Sequence, residues 1–289
     1  MFKFFFKKNF FDVWDNLFHI IACNLISLVV LVLSAFLCFA AVSVPEGDLA
    51  RNVCTFAAVA VSCILISIFS FAEGSNAADV ASFDTPRFLD YFKSVVPSIK
   101  DGVLFGLLSA LLAGIAFVSI PYYFNMYRAG GTAGFVYLLL AALIFWFIVI
   151  TILALQWFLP VRSLMGNSFV KCLKKSYIIF FDNPAFTLGV ALVNVLNIVL
   201  SVVTLGLVPG MSGIIITNTN ALRLRLYKYD WLEVNPDLTP QERKNVPWGD
   251  LLAKDRRIVG DRKLRSLFMP WKQRVRDRKS GSAGMPRPI

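Results

Sequence analysis

Five stretches of this chain run for about twenty residues with almost no charge: residues 18–44, 53–72, 102–120, 133–159 and 185–208. In hydrocarbon an unpaired peptide group has no water to bond, so a stretch of that length can lie in lipid only as a helix, about 30 Å long. His19 and Asn24 interrupt the first stretch, Gln156 the fourth, and Asn194 and Asn197 the fifth. A sixth, residues 210–222, is short and carries Asn218 and Asn220. Arg223 and Arg225 could extend it by reaching the headgroups. Pro45, Pro121, Pro160, Pro184 and Pro209 fall at the boundaries, where a missing N–H costs least. With 57% apolar residues and a mean hydropathy of +0.66, neither a disordered chain nor a plain soluble enzyme fits. The expected fold is an all-α polytopic membrane bundle, six spans arranged as three helical hairpins.

The net charge of +11 is segregated along the chain. With six spans, 27 of the 29 Lys and Arg residues flank one side and only Arg51 and Arg128 the other. The positive-inside rule then places both termini in the cytoplasm. Five spans would instead translocate most of the basic residues. The first apolar run is too long for a signal-peptide core. Ile20, Ile21, Ala22 and Cys23 resemble a lipoprotein cleavage box only loosely, because Asp12, Asp15 and His19 occupy its apolar run.

Aromatic, lysine-bearing segments stand before three of the spans with matching landmarks: Phe2, Lys7, Asp15; Phe88, Lys93, Asp101; Phe169, Lys174, Asp182. Interfacial amphipathic helices fit this composition, with Lys3, Lys7 and Lys8 meeting anionic lipid. Each aspartate is expected to cap the span that follows it. The domain layout is then an interfacial segment (1–17), a six-span membrane domain (18–232), a basic tail with an amphipathic helix (233–279) and a disordered end (280–289). The repeat is open to two explanations, a threefold duplication or the general basic and aromatic character of inward loops.

Gly102, Gly106, Ala110 and Gly114 form a small-residue stripe at four-residue spacing, where a neighbouring helix can approach closely. The spans hold no Asp, Glu, Lys or Arg near mid-membrane, which disfavours a proton-driven mechanism. Their strong polar groups are the amides of Asn24, Gln156, Asn194, Asn197, Asn218 and Asn220, read either as interhelical hydrogen bonds or as the polar face of a neutral-solute pocket. Gly206, Pro209, Gly210 and Gly213 read as a tight turn between the last two spans; a broken transport helix has the same composition. Cys23, Cys38, Cys54, Cys63 and Cys172 include no CxxC pair, and one histidine does not complete a zinc cluster, so no metal or cofactor is expected. No phosphate-binding glycine loop, HExxH or nucleophile elbow is present, and no enzyme is predicted.

Beyond about residue 235 the chain turns polar. Thr239, Pro240 and Glu242 read as a capping box, followed by a basic amphipathic stretch with Lys263, Arg265, Trp271, Lys272, Arg274, Arg276 and Arg278. Tethered to a bilayer, these residues suit its anionic inner leaflet better than nucleic acid.

Residues 88–108, FLDYFKSVVPSIKDGVLFGLL, and 174–193, KKSYIIFFDNPAFTLGVALV, together with the Asn24–Leu25 pair, resemble the YesL-like family of bacterial integral membrane proteins over residues 17–231. The resemblance implies a non-enzymatic accessory or scaffold protein beside a sugar-uptake transporter, with no catalytic residues. The segment FSFAEGSNAADV and the long basic tail depart from that family's pattern. A small neutral-solute transporter using the amides is the alternative.

Overall fold

A computed structural model of the chain describes residues 1–44, 49–130, 134–239 and 241–260. These residues are mostly helical, with no strand among them. Five helices are long and apolar enough to cross a membrane: Leu17–Val42, Leu49–Ala81, Phe88–Arg128, Gly134–Met165 and Pro184–Val203. The chain divides into two units, Met1–Val234 and Asn235–Ile289.

The first unit begins with α1 (Phe2–Asp15), α2 (Leu17–Val42) and α3 (Leu49–Ala81). Polarity here is inverted relative to a water-soluble protein. Along α2, Val29, Val32, Phe36 and Phe39 recur at helical spacing and are each at least 60% exposed, while Asn24 and Ser34 face inward. Lipid is the solvent such a surface suits.

α4 (Phe88–Gly114) packs along α3, as the small-residue stripe predicts. A Cβ on Gly102 would come within 2.8 Å of the Ile68 Cα, and one on Gly106 would overlap the Ile64 backbone. Only hydrogen at these positions allows the two backbones so close. At Gly114 the helices have diverged, and the nearest side-chain atom of α3 is on Phe56, 3.8 Å away. Past α4 a π-helical segment, Ile115–Ser119, leads without a break into α5 (Ile120–Arg128). Pro121 therefore does not end the span as expected. The widened turn before it offers room for a ring that would otherwise crowd the carbonyl four residues earlier.

α6 (Gly134–Leu155) stops at Gln156 and Trp157, and α7 (Phe158–Met165) carries Arg162 to Asp101, with an Nε–Oδ2 distance of 2.6 Å. Phe71, Phe105 and Phe158 pack ring against ring beneath that pair. α8 (Phe169–Asp182) and α9 (Pro184–Val203) follow, then α10 (Gly210–Val234). The sixth apolar stretch is thus the first half of a longer helix. From Ser212 to Leu224 almost every residue of α10 is buried, against α1, α2, α3, α7 and α9.

The three aromatic segments begin helices at Phe2, Phe88 and Phe169, and two of these are 14 residues long and end at the aspartate. In none of the three does the aspartate cap the following span. Asp15 and Asp182 are the last residues of their own helices, and Asp101 lies inside α4 paired with Arg162. Nor is α1 a purely interfacial anchor. Lys8, expected to meet lipid, is fully buried, paired with Asp12 at 2.6 Å and seated 3.9 Å over the Phe83 ring. Arg223 and Arg225, expected to reach outward, instead lie over the rings of Phe83 and Phe186, and Arg223 also donates to the Ala81 carbonyl.

In the second unit the capping box forms: Thr239 N donates to Glu242 Oε2 at 2.8 Å, and Glu242 N to Thr239 Oγ1 at 3.4 Å. It opens only a 3-10 turn, Glu242–Lys244, before α11 (Trp248–Leu251) and α12 (Ala253–Val259). Lys263, Arg265, Trp271, Lys272, Arg274, Arg276 and Arg278 lie outside the described residues, as does the proposed disordered end.

Candidate functional site

A chamber of about 710 Å³ opens between α4 with its π segment, α6, α9 and α10. Phe105, Leu112, Ala113, Ala116 and Phe117 form one wall, Ile148 and Ile152 another, and Ala191, Val195 and Ile198 a third. Its amide groups come from Gln156, Asn194 and Asn218, three of the six amide residues singled out from sequence. Asn194 Nδ2 donates to Asn218 Oδ1 at 2.7 Å, while Asn194 Oδ1 is buried without a partner. Gln156 Nε2 donates to the carbonyls of Leu153 and Thr187 where α6 breaks. That volume is in the range of a small-molecule site, and the wall is apolar with few polar groups, as such sites are.

The other three amides do different work. Asn197 Nδ2 donates to Thr217 Oγ1 at 3.0 Å, and so does Asn9 Nδ2 from the opposite side. Asn220 Nδ2 donates to Asp12 Oδ2 at 2.8 Å and lies 3.4 Å from Asn9 Oδ1. One polar network thus joins α1, α9 and α10 and contains the Lys8–Asp12 pair. Burial raises the Asp12 carboxyl above the usual carboxylate range; attraction to Lys8 and hydrogen bonds from Lys8 and Asn220 pull against it.

Asn24 holds the turn that joins α9 to α10. Its Nδ2 donates to the carbonyls of Leu207 and Pro209, both at 2.8 Å, and its Oδ1 accepts from Ser212 N at 2.9 Å. Gly210, at φ +60°, leaves room for that amide, which would overlap any Cβ there. Ser201 Oγ accepts from Gly210 N, and Thr204 Oγ1 accepts from Val208 N. The backbone of the turn is therefore satisfied from inside the protein. The Gly206, Pro209 and Gly210 run is a turn, as read from sequence, but it lies beside Asn24, Leu28 and Leu31 of α2. α2 continues for about 16 Å beyond Leu31.

Sequence reading missed the inward roles of Lys8, Asn9, Asp12 and Thr217, and a second cluster made by His19, Cys23 and Glu73. A weak signal existed for the cluster. His19 and Cys23 are four apart on one helix face, and Glu73 directly follows the last residue of an apolar stretch. Nothing in sequence places the two helices side by side at that height.

No protein-family model, curated protein or solved structure matches the chain.

Proposed function

We propose that this chain is a multi-pass protein of a bacterial inner membrane, with both termini cytoplasmic, that holds an apolar or amphiphilic molecule drawn from the bilayer. The chamber between α4, α6, α9 and α10 carries this reading. A bound sugar would need many convergent hydrogen-bonding groups, whereas this wall presents mainly Phe, Ile, Leu, Val and Ala with three amides. An acyl or isoprenoid chain would satisfy the wall, and a single polar group on it could meet the lining amides of Gln156, Asn194 and Asn218.

In this reading α2, α3, α4 with α5, and α6 cross the bilayer, while α9 and α10 enter and return as a re-entrant hairpin. Six membrane segments in three hairpins result, and the basic flanks of residues 1–17, 87–100, 162–175 and 223 onward share the cytoplasmic side. The internally satisfied turn at Asn24 supports this, because irregular backbone at membrane depth is tolerated only where protein groups pair it. Among the described residues no catalytic constellation accompanies the chamber, and the role proposed is that of a non-enzymatic accessory protein. The resemblance to YesL-like proteins suggests its setting, beside a sugar importer.

Native mass spectrometry of the full chain released from nanodiscs tests the ligand. One lipid or isoprenoid should be retained per wild-type chain and lost in Ala191→Phe, which fills the chamber. Equal retention in the variant refutes the reading. Thermal stabilisation by monosaccharides and not by lipid would transfer support to a neutral-solute path, the reading favoured by the convergence of three amides.

A further inference from the structure

Away from the chamber, His19, Cys23 and Glu73 bring three different metal-ligating atoms together, all within 4.8 Å of one another. His19 Nε2 is 3.5 Å from Cys23 Sγ and 3.9 Å from Glu73 Oε1. We infer that this is a binding site for a borderline-soft divalent cation of the zinc type, held between α2 and α3.

The distances fit such an ion. With Zn–N near 2.0 Å and Zn–S near 2.3 Å, a tetrahedral site separates nitrogen from sulfur by about 3.5 Å and nitrogen from a carboxylate oxygen by about 3.3 Å. The first matches the separation found, and the second needs a shift of about half an ångström. The residues are also placed as ligands are. Cys23 is fully buried, and the side chains of Glu73 and His19 are 4% and 10% exposed. One histidine is enough here because a thiolate and a carboxylate complete a three-ligand set, the number that leaves a fourth position open.

Unsatisfied polar atoms point to the same place independently. Glu73 Oε1 is buried with no hydrogen-bond partner, although its other oxygen accepts from Asn76 Nδ2 at 3.4 Å. Tyr91 Oη, on α4, is likewise buried without a partner close to Glu73, and Ser212 Oγ, on α10, has the Glu73 carboxylate alone to turn to. Poorly paired oxygens gathered at one buried carboxylate are costly. An ion takes up Glu73 Oε1 directly, and its fourth ligand, Ser212 Oγ or a water bonded to Ser212 and Tyr91, takes up the others. Asn76 is then the group that orients the carboxylate. Ser212 stands in the first turn of α10, two residues past Gly210, and its own N–H is held by Asn24. The ion would therefore tie α2 and α3 to the start of the last helix.

Cobalt and zinc serve as probes on the full chain in nanodiscs, with Cys38, Cys54, Cys63 and Cys172 replaced by alanine so that Cys23 is the sole thiol. Cobalt should bind at one equivalent per chain with a sulfur-to-cobalt charge-transfer band and tetrahedral visible absorption, and zinc should displace it. Glu73→Gln and Cys23→Ser should weaken zinc binding by at least about a hundredfold, since loss of mere supporting groups already costs 10- to 100-fold. Absence of the charge-transfer band from the chain holding Cys23 alone overturns the inference, whether or not the variants fold. Unchanged zinc affinity in Glu73→Gln and Cys23→Ser also overturns it.

Discussion

Replacing Asn24 with alanine should destabilise the membrane unit by about 2 to 4 kcal/mol. The amide makes three hydrogen bonds, two to the carbonyls of Leu207 and Pro209 and one from Ser212 N. At the average of about 0.6 kcal/mol per side-chain hydrogen bond in a membrane protein, their loss gives about 2 kcal/mol. Ser212 N is also one of the free N–H groups at the start of α10, and loss of a cap there adds about 1 kcal/mol. Backbone groups left unpaired at this depth can raise the total further, because water reaches them poorly. The assay is equilibrium unfolding in mixed micelles with increasing SDS fraction. A double-mutant cycle with Gly210→Ala sharpens it. A methyl at residue 210 overlaps the Asn24 amide, so that change is harmful in the wild-type chain and better tolerated once Asn24→Ala has removed the amide; the two changes should couple by about 1 kcal/mol or more. A single variant within 0.5 kcal/mol of wild type, or strict additivity in the cycle, would refute the claim that this amide clamps the turn; the thresholds follow the usual scatter of about 0.5 kcal/mol for independent sites.

Gly106→Leu should destabilise the chain by at least about 2 kcal/mol, because the added side chain meets the backbone of Ile64; unchanged unfolding in mixed micelles would remove the close α3–α4 approach. A cysteine at Leu205, introduced into a chain without its native cysteines, should resist an impermeant thiol reagent applied outside cells, while one at Arg128 should react; labelling at residue 205 from outside would mean that the last hairpin crosses. Asp182 has a carboxyl below its ordinary value of 3.8: burial opposes its ionisation, but hydrogen bonds from Tyr229 and Lys228, the Lys228 charge and Asn183 outweigh burial. Its stabilising effect is present above the unfolded value and is lost as pH falls through the lowered one. The difference in thermal midpoint between wild type and Asp182→Asn should therefore shrink from pH 7 to pH 3; a difference that persists at pH 3 would assign the effect to something other than this charge.

What could be read from the sequence follows from which interactions are local. A run of twenty apolar residues forces a helix wherever it meets lipid, so the five long helices were predictable, and the glycine spacing at 102 and 106 predicted a close neighbour. Helix starts at Phe2, Phe88 and Phe169 matched the aromatic segments because amphipathic periodicity is also local. The inward turn of Lys8 was not predictable. A lysine among phenylalanines reads as a headgroup contact, and only the carboxylate of Asp12 one turn on, with Phe83 and Asn220 brought from distant helices, makes burial tolerable.

The same distinction explains the six amides. Each was visible as a polar group that hydrocarbon would penalise, and each has found a partner, yet their positions in sequence do not separate the turn clamp at Asn24 from the chamber lining at Asn194 and Asn218 or the network at Asn197 and Asn220. That sorting depends on α10, whose buried polar residues face α1 on one side and α9 on another. A helix so rich in Thr and Asn is poorly suited to direct contact with lipid, and its hydrogen bonds come from the helices around it. A polar helix is therefore the one most enclosed by the membrane unit, with α1, α2, α3, α7 and α9 packed against it.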